Sequence, residues 1–196
     1  AERVARGFID EHLGLAGQAG SADFAGGLLG AILIEKGHLE EAFDLLLAAR
    51  DANRRAHRVH GEADVSSDLA RVCHLSNRLG EARDFLDRAV GLLQGVHKTP
   101  GPLWQVLCLR AMVAAHSGDI EAALGDVKAV ENMAGLPHRC ESLLGLAHAW
   151  IAMARGDLIQ CEELLSQLLG ASRSSTVLRV GHQHLQRLMA EKKGGT

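Results

Sequence analysis

Four short turns recur along the 196-residue chain at nearly constant spacing, and this register restricts the fold more than any other feature. They read EKGHLEEA, SNRLGEA, HSGDIEAA and ARGDLIQC; aligned on Gly37, Asn77, Gly118 and Gly156 they lie 40, 41 and 38 residues apart. Seven residues before each turn residue stand Gly30, Ala70, Ala111 and Ala149, and five after it Ala42, Ala82, Ala123 and Cys161, all small. Nine after it come Leu46, Leu86, Val127 and Leu165, and twelve after it Ala49, Ala89, Val130 and Leu168, all apolar. A period in this range marks stacked supersecondary units. Small residues let two antiparallel helices cross closely, and larger ones one turn further along fill the space against the next pair. Glycine or asparagine at the turn can take the left-handed conformation that ends a helix. Acidic residues follow at Glu40, Glu41, Glu81, Asp119, Glu121 and Asp157, where negative charge complements the dipole of a second helix.

The register predicts helix–turn–helix repeats over about 23–60, 63–97, 103–136 and 141–170, flanked by helices over 2–14 and 175–191. The expected fold is all-α, a right-handed superhelix (solenoid) of antiparallel helix–turn–helix repeats forming a single domain over 1–196. Composition agrees: hydrophobic residues make up 47% of the chain, enough for a sizeable core, while aromatics are 3% and tyrosine is absent, which suits packed helices better than sheets. Val4, Phe8, Ile9 and Leu13 have helical spacing before the loop glycines Gly14, Gly17 and Gly20. Leu178, Leu185, Leu188 and Met189 mark an amphipathic helix suited to closing a stack with a polar outer face. Between the second and third repeats, VHKTPGP (residues 96–102) reads as an inter-repeat loop, because proline disfavours helix there while the repeat phase continues across it.

The small-residue positions around a turn resemble the tetratricopeptide repeat, over roughly residues 23 to 170. Two departures stand out. The unit is nearer forty residues than the usual thirty-four, and the family's bulky aromatics in each first helix are replaced by Leu33, Cys73, Ala114 and Ala152. Units of this length are similar to those in MalT-like bacterial regulators. The resemblance implies a partner lying along the first helices, against residues three, six, ten and thirteen before each turn residue. These are Ile34, Ala31, Gly27 and Phe24; then His74, Arg71, Ser67 and Asp64; then Ala115, Met112, Cys108 and Gln105; then Met153, Trp150, Leu146 and Leu143. The expected partner-binding set is Asp64, Ser67, Arg71, His74, Gln105, Met112, Leu146, Trp150 and Met153, polar at the second repeat and apolar toward the fourth.

A formal charge of −3 supplies no global field toward nucleic acid or an anionic membrane, and the arginines at 50, 54, 55 and 58 are offset by acidic residues on the same predicted helix. No apolar run reaches membrane-spanning length, and no signal-peptide pattern opens the chain. Cys73, Cys108, Cys140 and Cys161 are scattered and read as reduced core thiols. A cytoplasmic location follows as the expectation. Among eleven histidines, the pairs His57/His60, His182/His184 and His138 with Cys140 lack further ligands at diagnostic spacing, so neither a metal nor a cofactor is expected. Cys73 and His74 are adjacent and so point to different sides of a helix, and no GxSxG, HExxH or phosphate-loop motif is present. The reading is therefore a non-catalytic protein- or peptide-binding scaffold, regulatory and part of a larger bacterial signalling or transcription-regulatory protein. A small-molecule effector sensor is the alternative, an unrecognised helical enzyme is a weaker one, and self-association as a homodimer is open.

Overall fold

The computed structural model describes residues 19–95, 102–137, 139–172 and 175–194, with side chains described from Gly26 onward except at 139, 171, 172 and 176. The expected helix over 2–14, the side chain of the groove position Phe24 and nearly all of the 96–102 loop lie outside what is described. The chain divides into two compact units, residues 1–97 and 98–196. Among the described residues the ordered elements are helices, giving an all-α helical repeat.

The first unit holds α1 (Ala19–Lys36), α2 (Leu39–Arg55), α3 (Val59–Leu75) and α4 (Leu79–Gln94), each packed on its neighbour in sequence. All four turn residues named from the sequence, two in each unit, have positive φ: Gly37 at 79°, Asn77 at 58°, Gly118 at 85° and Gly156 at 80°. The backbone closes each helix with the same pair of hydrogen bonds. Gly37 N–H donates to the Ile34 carbonyl and His38 N–H to the Leu33 carbonyl, and Asn77/Arg78, Gly118/Asp119 and Gly156/Asp157 repeat this. These six-to-one and five-to-two bonds form a Schellman motif, which satisfies helix-end carbonyls and reverses the chain.

A further turn of this kind escaped the sequence reading. His57 has φ of 54°, and His57 and Arg58 N–H groups donate to the Arg54 and Asn53 carbonyls. The turn between α2 and α3 is thus built like the turns inside the hairpins, with no glycine to signal it.

The second unit holds α5 (Leu103–His116), α6 (Ile120–Glu131), α7 (Arg139–Arg155), α8 (Leu158–Gln167), the short α9 (Leu169–Ser172) and α10 (Thr176–Gly194). Here α5 packs on both α6 and α7, α7 on α8, and α10 on α7 and α9. The small and apolar positions that define the repeat are all buried in both units. Gly30 shows why smallness matters: a Cβ there would stand 2.5 Å from Leu46 Cδ2 on the paired helix. Each unit also encloses an ion pair. Arg88 of α4 donates through Nε to Glu62 of α3 at 2.8 Å, and Arg110 of α5 grips Asp126 of α6 through two parallel bonds of 2.8 and 2.7 Å.

Candidate binding cleft

Among the described residues, the second unit contains a cleft of about 420 Å³ whose walls come from α5, α7 and α10 and the turn after α5. On α5 and its turn these are Ala115, His116 and Gly118; on α7, Trp150, Met153 and Ala154; on α10, Leu188, Glu191 and Lys192. Neither second helix of this unit, α6 or α8, contributes to it. The floor is aromatic: Trp150 is 1% exposed, with the His116 ring 4.8 Å from it and the His184 ring 5.6 Å, centroid to centroid. The two imidazoles stand edge to face at 5.9 Å.

The electrostatics keep this floor uncharged at neutral pH. Burial pushes His184 down to about 4, helped by the Arg187 charge and then by His116. Arg187 Nη2 lies 3.1 Å from His184 Nδ1. A guanidinium can only donate, so Nδ1 accepts and the ring proton sits on Nε2. Burial also lowers His116. At the rim, Lys192 Nζ donates to the Met153 carbonyl at 3.4 Å, joining α10 to α7 across the opening. An apolar floor with charged groups confined to the rim favours apolar side chains inside and polar contacts around them.

Of the residues expected to bind a partner, the structure brings Trp150 and Met153 together in this cleft, with Ala115. Met112, Leu146, Leu143 and Cys108 are buried core, and half-exposed Gln105 does not line the cleft. In the first unit Asp64, Ser67, Arg71 and His74 follow one another along α3. Asp64 is exposed and Ser67 half-exposed, its hydroxyl donating to the Ala63 carbonyl. Arg71, 8% exposed, donates to Asp68 at 2.7 Å, and His74 is buried. Although its surface is open to solvent, the protein packed around the Asp64 carboxyl raises it above its usual range, and the neighbouring Asp68 adds to this.

The sequence reading missed His116, Leu188, Glu191 and Lys192. His116 falls outside the offsets assigned to the groove, and the other three belong to a helix read only as a cap. His182 and His184, two apart on α10, serve different surroundings: His184 meets Trp150, while His182 faces a second cleft described below. The four cysteines are free and buried. Burial pushes Cys73 and Cys161 up to about 11 and raises Cys108 and Cys140, so none is poised as a thiolate.

Residues 23–94 match the family model for the tetratricopeptide repeat. No curated protein matches the chain. Repeats of this family generally mediate protein–protein interaction as scaffolds. Among the described residues no helix is long and apolar enough to cross a membrane.

Proposed function

Because the chain is a tetratricopeptide-like helical repeat protein, we propose that it is a regulatory scaffold that binds a peptide segment of another protein through the Trp150 cleft. The observation that carries this reading is a cleft walled by first helices and their turn, with an uncharged aromatic floor. An apolar side chain of the partner packs on Trp150 and Met153, and its backbone or polar groups meet Glu191 and Lys192 at the rim. On α3, exposed Asp64 and half-exposed Ser67 of the expected polar stripe supply a second contact surface. The setting we propose is a cytoplasmic signalling or transcription-regulatory protein.

Peptides selected from a random library for binding to the whole chain test the reading. Met153→Lys puts a charge at a half-exposed position in the cleft wall. It is expected to lower affinity for the selected peptides at least tenfold with an unchanged helical circular-dichroism spectrum. Unchanged binding would count against the cleft. A second reading, a sensor of apolar effectors, draws on the cleft volume of about 420 Å³, within the range of small-molecule sites. A thermal-shift screen that raises the melting temperature of the wild type and not of Met153→Lys would favour it.

A further inference from the structure

Helix α10 carries, on the side toward α8, a stripe that in the other hairpins is covered by a second helix. In α1 the stripe positions Gly26 and Gly30 meet Ala49 and Leu46 of α2, and in α7 Gly145 meets Leu168 at the end of α8. In α3 the stripe runs Glu62, Ser66, Ala70 and Cys73, all buried, and Arg88 of the covering α4 bonds Glu62. The same spacing along α10 gives His182, Gln186, Ala190 and Lys193. Gln186, Ala190 and Lys193 are exposed, and among the described residues no helix lies over them.

What remains is a cleft of about 350 Å³ between α8 and α10, with Leu165, Leu169 and Met189 as its apolar wall. Leu169 is 52% exposed, a large apolar side chain left in water at the edge of this cleft. Lys193 of α10 pairs with Glu162 of α8 at one end. His182 also lines the cleft; it is 4% exposed, yet among the described residues neither ring nitrogen has a hydrogen-bond partner. It stands where α3 has Glu62, the group that receives its bond from the covering helix. Buried ring nitrogens call for hydrogen-bond partners, and the cleft leaves room for an incoming side chain to supply one in place of water.

We propose that the α8–α10 cleft is an open second-helix slot that takes an amphipathic helix of a partner protein, with a hydrogen-bonding side chain placed over His182. The chain's own second helices define the chemistry of the occupant. Those of the first unit present a small–aliphatic–small stripe, as in Ala82, Leu86 and Ala89, and acidic residues in the first turn, as in Glu81. A helix running antiparallel to α10 sets that acidic turn beside Lys192 and Lys193 in the last turn of α10. Burial holds His182 below the ordinary histidine range, so at neutral pH it offers one donor and one acceptor to the incoming group. This surface is separate from the Trp150 cleft, and the inference does not depend on the function proposed there.

A lactam-bridged helical peptide with the sequence of residues 79–94, added to the isotopically labelled whole chain and followed by NMR, tests the slot. Amide shifts are expected at Leu165, Leu169, His182, Gln186 and Ala190, and Ala190→Arg, at an exposed position, should weaken binding at least tenfold while the chain stays folded. Lys193→Glu should weaken it less, by a fewfold. No shifts at this face, shifts centred on α3 through displacement of α4, or equal binding by Ala190→Arg would overturn the proposal. So would a concentration-dependent dimer abolished by Ala190→Arg, since a second copy would then be the occupant.

Discussion

In the first unit the left-handed turn residue recurs at 37, 57 and 77, twenty residues apart each time; in the second it falls at 118, 135 and 156, at intervals of seventeen and twenty-one. The first unit stacks four helices of 16 to 18 residues, whereas the second alternates helices of 14, 12, 17 and 10 before α9. The family match to residues 23–94 coincides with the even half. Both clefts described above lie in the uneven half, where α6 and α8 are shorter than their partners α5 and α7. Regularity makes a repeat recognisable, and the breaks in it leave space for another molecule. The position six residues before the turn carries the same contrast: Arg71 in one unit and Trp150 in the other, both buried.

That position offers the sharpest way to break the comparison. Trp150→Ala removes a fully buried ring and should cost about 3–5 kcal/mol in urea unfolding. Arg71→Met takes a buried guanidinium away from Asp68, whose side chain is 24% exposed and so partly reached by water, and should cost about 1–2 kcal/mol. Equal costs would mean that the two units use this position alike.

The ion pairs come next. Asp126 is largely buried and held by two bonds, so Arg110→Ala strands its charge and should destabilise by about 3 kcal/mol. In the first unit the Arg88 side chain is 48% exposed. Glu62 is itself buried, so Arg88→Ala strands its charge as well; water entering the space the exposed Arg88 side chain leaves should hold the cost to about 2 kcal/mol.

Acid should weaken the second unit through its histidines. His184 has a folded pKa of about 4 against an ordinary 6.5, so the unfolded chain binds the proton more tightly. Its neutral form contributes fully above pH 6.5, and that contribution is lost as pH falls from 6.5 toward 4. His116 and His182 are shifted in the same direction. The melting temperature should fall across this window, and His184→Gln should flatten the slope.

The smallest effects belong to helix starts. Asp119 caps α6 by accepting from Ala122 N–H at 3.1 Å, and Asp157 caps α8 through Gln160 N–H at 3.0 Å. His38, Arg58 and Arg78, at the corresponding positions of the first unit, make no side-chain cap. Asp119→Ala should lower stability by about 1 kcal/mol. His38→Asp should raise it by about half as much, as read from paired thermal melts.

Much of the hairpin was legible because it rests on local rules. A left-handed residue must end each helix, and small residues must stand where two backbones approach, so Gly37, Asn77, Gly118 and Gly156 announce themselves together with the alanines around them. His57 was not legible, because histidine, although enriched among non-glycine residues in the left-handed region, adopts it only in a small minority of cases, too weak a signal to mark a turn. The groove offsets located Trp150 and Met153 but also selected Leu146 and Met112. Helical spacing says which residues share a face and not what another element later lays over them.

From the sequence alone came the all-α class, the turn register and the small-residue contacts, each settled by interactions within about forty residues. Tertiary structure alone decided which first-helix residues line a cleft, which neighbours hold His184 neutral, and that His182 is buried with no partner among the described residues. Those outcomes depend on how α10 packs against α7 and α9, and neither its hydrophobic stripe nor its spacing specifies that placement. Burial and pKa follow from the neighbours a side chain acquires across the fold, so the repeat could be read along the chain while its sites could not.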